Sequence, residues 1–67
     1  MAVLKVIELL ASSPKSWEEA TQNAVDMASK TVKGIRSVYV QDLSSVVKGD
    51  KIVEFRVNAK VTFEILK

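Results

Sequence analysis

The chain has 67 residues, 48 % of them hydrophobic, with ten basic and eight acidic side chains, a net charge of +2, and no cysteine or histidine. That length makes one domain, residues 1–67, which on folding buries only about 60 % of the surface its unfolded chain exposes. With disulfides and imidazole ligands both excluded, oligomerisation is what remains to stabilise so small a core. The charges are interspersed, without a basic stripe or an aromatic stacking platform, which argues against a nucleic-acid partner.

The first predicted element is a strand over residues 3–10, rich in Val, Ile and Leu and closed by the polar stretch Ser12-Ser13-Pro14-Lys15. Its apolar run is too short to span a bilayer and lacks the layout of a cleavable signal, so no membrane partner and a cytoplasmic location are expected. Ser16-Trp17-Glu18-Glu19 then has the form of a capping box, with Ser16 accepting from the Glu19 amide and the Glu19 carboxylate reaching back to Ser16. From that cap Trp17, Ala20, Ala24, Met27, Ala28, Thr31 and Ile35 recur at spacings of three and four, the stripe of a helix laid on a sheet. Its alanines permit a close approach, and Lys30, Lys33 and Gly34 read as the helix C-terminus.

A second strand is predicted from about Ile35 to Val47, with Val38 and Val40 on one parity and Ser37, Tyr39 and Gln41 on the other. Lys48-Gly49-Asp50-Lys51 forms the turn of a long hairpin. The last strand alternates strictly: Val53, Phe55, Val57, Ala59, Val61, Phe63 and Ile65 against Glu54, Arg56, Asn58, Lys60, Thr62 and Glu64. Thirteen such residues extend roughly 43 Å, whereas a compact chain of this size has a radius of gyration near ~11 Å. The ribbon must curl around something or project into another subunit. The fold class is α+β, a β-α-β-β unit whose three-stranded antiparallel sheet carries one helix on its dry face.

Catalytic signals are missing. Without His or Cys the usual acid/base and thiolate machinery is absent, the serine pairs sit at element ends where capping explains them, and no phosphate loop is present. The chain therefore reads as a non-enzyme. A cation is open to it through carboxylates alone, one from each subunit around a symmetry axis.

The order β-α-β-β in under 70 residues, with Lys5-Val6-Ile7-Glu8-Leu9 opening, Ser16-Trp17-Glu18-Glu19-Ala20 starting the helix and Glu54-Phe55-Arg56-Val57-Asn58-Ala59-Lys60-Val61-Thr62-Phe63 closing, resembles the dodecins over nearly the whole chain. The resemblance implies a hairpin curled around the helix and a homododecamer, a hollow shell built through trimeric contacts. In flavin-binding members a Trp early in the second strand stacks on the isoalloxazine ring and a Gln on the third bonds its edge. This sequence carries Ser37 and Arg56 at those places. Ser37 offers no aromatic face, and Arg56 donates but has no acceptor for a ring N–H. Tyr39, on the same face as Ser37, supplies either a displaced stacking surface or a subunit contact. Trp17 anchors the core or an interface, or else reaches a ligand. Arg56 and Lys60 face solvent or a lumen, or form a phosphate site.

Two functions follow from the resemblance. One is a shell that binds or stores a small ligand between subunits, such as riboflavin, FMN or FAD, with Ser37, Tyr39 and Arg56 as the contacting residues. The other is a structural or ion-binding shell without flavin, in which carboxylates such as Asp42 and Glu64 meet their copies around symmetry axes and hold Mg2+ or Ca2+.

Overall fold

A computed structural model describes residues 2–65. The elements run β1 (Leu4–Ser13), α1 (Trp17–Ala28), β2 (Ile35–Lys48) and β3 (Lys51–Glu64). The strands form one antiparallel sheet in the order β1-β3-β2, so the alternating ribbon is its central strand. Gly49 and Asp50 both have positive φ, 57° and 64°, the requirement of the two-residue type I′ turn that matches strand twist. The predicted hairpin turn is therefore present, with Lys48 opposite Lys51.

β1 runs three residues past the expected end at Leu10, because Ala11, Ser12 and Ser13 continue in register against Val57, Arg56 and Phe55. The helix start also differs in detail from a capping box. Ser16 caps as expected, its Oγ accepting from the Glu19 amide at 3.0 Å. Glu19, however, takes its bond from the Ser13 hydroxyl at 2.5 Å, and Ser13 Oγ in turn accepts from the backbone amides of Lys15 and Ser16. Ser13 is buried, so this one strand-end hydroxyl satisfies the two backbone donors that lead into the helix and the Glu19 carboxylate together. Ser13→Ala should lower thermal stability by about 1–3 kcal/mol, since it strands two amides and a carboxylate; an unchanged melting curve would remove Ser13 from that role.

The helix stops at Ala28, six residues short of the predicted Gly34 end. Past Ser29 the bonds become mixed, with Lys30 N–H donating to Met27 O and Thr31 N–H to Ala28 O. That is the tightened last turn of a helix end. Thr31 and Ile35 thus leave the stripe, Met27 is exposed, and the last turn carries no basic residue. Gly34, φ 76°, instead turns the chain into β2, where its carbonyl accepts from the Glu64 amide.

The core is where the two predicted stripes meet. Ala20, Ala24 and Ala28 of the helix lie over Val57, Ala59, Val61 and Phe63 of β3, all buried. Small residues on both sides let the helix sit close to the central strand. Trp17 closes the cluster, its ring edge-on to Phe55 at 5.0 Å and its Nε1 donating to the Ser44 carbonyl at 2.9 Å.

Lengths decide what stays uncovered. Twelve helical residues span about 18 Å, while the 14 residues of β3 span about 48 Å. The helix covers the half of the hairpin next to the chain ends, and the turn end projects bare. The molecule is accordingly 50 Å long with a radius of gyration of 13.6 Å. Val53 and Ile65, the two ends of the predicted dry parity, are exposed rather than wrapped onto the helix.

Candidate functional site

The second face of the sheet carries no helix, and strand register sets its side chains in rows. From the chain ends toward the turn these rows are Val6–Thr62–Ser37, Glu8–Lys60–Tyr39, Leu10–Asn58–Asp42 and Ser12–Arg56–Ser44. Ladder irregularities between Ile35 and Ser37 and between Val40 and Asp42 keep Ser37, Tyr39 and Asp42 in phase with the polar parity of β3. The two-residue period of β2 alone would have put Asp42 on the opposite face.

The predicted ligand-contacting residues are all on this face but not together. Ser37 stands opposite Thr62 and Arg56 opposite Ser44. Six residues of β3 separate the two rows, roughly 20 Å, so no planar ligand touches both within one chain. Tyr39 lies opposite Lys60 and is 64 % exposed. Of the two carboxylates proposed for a symmetry axis, Glu64 is engaged by Arg36 in a 2.7 Å ion pair. Asp42 makes no ion pair or side-chain hydrogen bond among the described residues.

What the sequence did not single out is the space around Asp42. A depression of about 400 Å³ opens there, lined among others by Leu10, Ser12, Asp42, Ser44, Arg56 and Asn58. Leu10 forms its apolar side and is 81 % exposed. The Asn58 carboxamide oxygen is buried yet accepts no hydrogen bond among the described residues, an arrangement that costs about 1–3 kcal/mol unless a partner arrives. Asn58 was visible as a polar-parity residue; its place between Leu10 and Asp42 follows only from the pairing of the strands. No three of Asp, Glu, His and Cys come together among the described residues, so an ion here would rely on amide and hydroxyl oxygens as well as on Asp42.

Residues 3–66 match the family model of dodecin. The chain belongs to the dodecin family. Its fold agrees with solved members: this dodecin superimposes on a variant of the Thermus thermophilus dodecin with a TM-score of 0.93 at 25 % identity, each chain covered in full. The Streptomyces coelicolor dodecin, at 23 % identity and a TM-score of 0.92 over 98 % of this chain and 94 % of that one, shares the fold. Among curated proteins it is 34 % identical to the calcium dodecin of Mycobacterium tuberculosis over 65 residues, 97 % of this chain and 92 % of that one. The crystal structure of a calcium dodecin from that organism, described as having a novel calcium-binding site, superimposes with a TM-score of 0.83 at 33 % identity, over 96 % of this chain and 91 % of that one. The expected β-α-β-β fold and family are thereby established for this dodecin.

Proposed function

We propose that this dodecin is a non-enzymatic, homo-oligomeric shell that binds a divalent cation, Ca2+ foremost, through Asp42 and Asn58, and does not take flavin. The observation that carries the reading is the Asp42 carboxylate, which has no ion pair or side-chain hydrogen bond among the described residues, at the wall of the depression and in one row with Asn58. Ca2+ takes six to eight oxygens, carboxylate and amide carbonyl among them, and Ser44 adds a hydroxyl at the same wall. The kinship with a protein named for calcium supports the choice of ion. Against flavin stand Ser37, with no ring to stack, and Arg56, with no acceptor for a ring N–H.

Self-assembly is supported by surface. The chain exposes 5021 Å², against about 4,200 Å² for a compact monomer of its mass. Much of the excess is apolar, including Leu4, Val6 and Leu10 on β1 and Leu43, Val47 and Ile52 on the hairpin. Patches of this kind mark protein–protein contact.

Calorimetric titration of metal-free protein with CaCl2 tests the function. We expect binding that Asp42→Asn weakens at least about tenfold, because a carboxylate supplies the only formal negative charge of the row. Riboflavin fluorescence should stay unquenched with protein in excess. No heat with calcium, together with quenching of riboflavin, would reverse the assignment.

A further inference from the structure

The row beside the cation donors holds the opposite charge. Arg56 lies two residues from Asn58 on the same face of β3, a step of about 6.8 Å, and both line the one depression. Its guanidinium forms no ion pair and no hydrogen bond among the described residues. Its cross-strand neighbours, Ser12 and Ser44, are hydroxyls without charge. On the other side of Asn58, Lys60 has Glu8 opposite it on β1. The carboxylates nearest to Arg56 on this face are Asp42, which lines the same depression, and Glu54, two residues away along β3.

Arg56 repels a lone Ca2+ held at Asp42, and more strongly in a half-enclosed depression than in water. The depression itself contains one carboxylate and one guanidinium, a net charge of zero. A ligand that is itself balanced, with a cationic and an anionic part in the same order, suits it better than either ion alone. Arg56 offers the planar donor fork that grips oxyanions bidentately, with the Ser12 and Ser44 hydroxyls flanking it.

We infer that the depression takes a divalent cation together with inorganic phosphate, the cation on Asp42 and Asn58 and the phosphate on Arg56 with Ser12 and Ser44. This rests on the cation reading above and adds to it the partner anion. One phosphate oxygen then faces the guanidinium while another reaches the cation, so each ion screens the residue that would repel the other.

Calcium titrations of the intact assembly in phosphate-free buffer, and again with phosphate below the precipitation limit, test it. Phosphate should tighten calcium binding roughly ten- to a hundredfold. In Arg56→Gln, checked for unchanged oligomeric mass and circular dichroism, that enhancement should vanish while binding of calcium alone becomes no weaker. Calcium binding indifferent to phosphate, or an enhancement that survives Arg56→Gln, would overturn this inference and leave the cation reading standing. Absence of calcium binding in both buffers would overturn the cation reading, and the inference with it.

Discussion

Replacing Val47 and Ile52 together by lysine should release free subunits or small oligomers in place of the proposed shell, read as a fall in mass by native mass spectrometry. The two residues face each other across the hairpin and are 59 % and 56 % exposed in the single chain. They lie at the turn end, beyond the reach of the helix, so they contribute nothing to the subunit's own core of Ala20, Ala24, Val57 and Ala59. If other copies cover them, each is worth about 1.5–3 kcal/mol per chain, and a buried lysine adds a desolvation cost. A closed shell repeats that loss in every subunit. Circular dichroism should meanwhile keep its mixed helix and strand character, since the substitutions sit on exposed strand ends. Unchanged mass would mean that the hairpin tips stay in solvent and that assembly runs through another surface, with the Leu4, Val6 and Leu10 stripe of β1 next in line.

Asn58→Val should stabilise the metal-free protein while abolishing its response to calcium. In the absence of a ligand the carboxamide oxygen is buried without a donor, and removing it recovers about 1–3 kcal/mol. A β-branched residue also suits a central strand. For a domain of this size each kcal/mol moves the melting temperature by roughly 4–8 °C, so the metal-free variant should melt several degrees above the parent. On the proposed function calcium should raise the parent's melting temperature by binding only the folded form; the variant should show no such rise. A metal-free variant that melts lower, or one that calcium still stabilises, would show that Asn58 has a structural partner and is no ligand.

Most of the fold was legible because it depends on local chemistry. The alternation of β3, the alanine stripe of α1, the Ser16 cap and the Gly49-Asp50 turn each follow from residue type and spacing along a few turns or pleats. The misread parts depend on partners distant in sequence. Thr31 and Ile35 continued the helical spacing, but the chain left the helix at Ala28 and Ile35 became the first residue of β2, opposite Phe63. Glu19 was expected to bond its own cap, and the strand-end Ser13 took that bond because β1 continues three residues further.

The candidate site was legible only in part. Ser37, Tyr39 and Arg56 were placed on the polar side of the sheet, which the register bears out, yet the distance between Ser37 and Arg56 could not be read without pairing the strands. Asp42 was named as a carboxylate for an ion, but its row with Asn58 depends on an irregularity of β2 that local spacing does not reveal.

By itself the sequence determined a single small α+β domain with no imidazole or thiol chemistry, a two-faced central strand and a need for further burial. Those properties reside in composition and in the two periodicities of 2 and 3.6 residues. Only the tertiary structure decided which stretch of the ribbon the helix covers, since a 12-residue helix and a 14-residue strand differ in length by more than twofold. It also decided that the uncovered face brings Asp42, Asn58 and Arg56 to one depression, the carboxylate and the guanidinium without partners among the described residues. Register, bulges and neighbouring strands make that juxtaposition, and none of the three strands carries it alone.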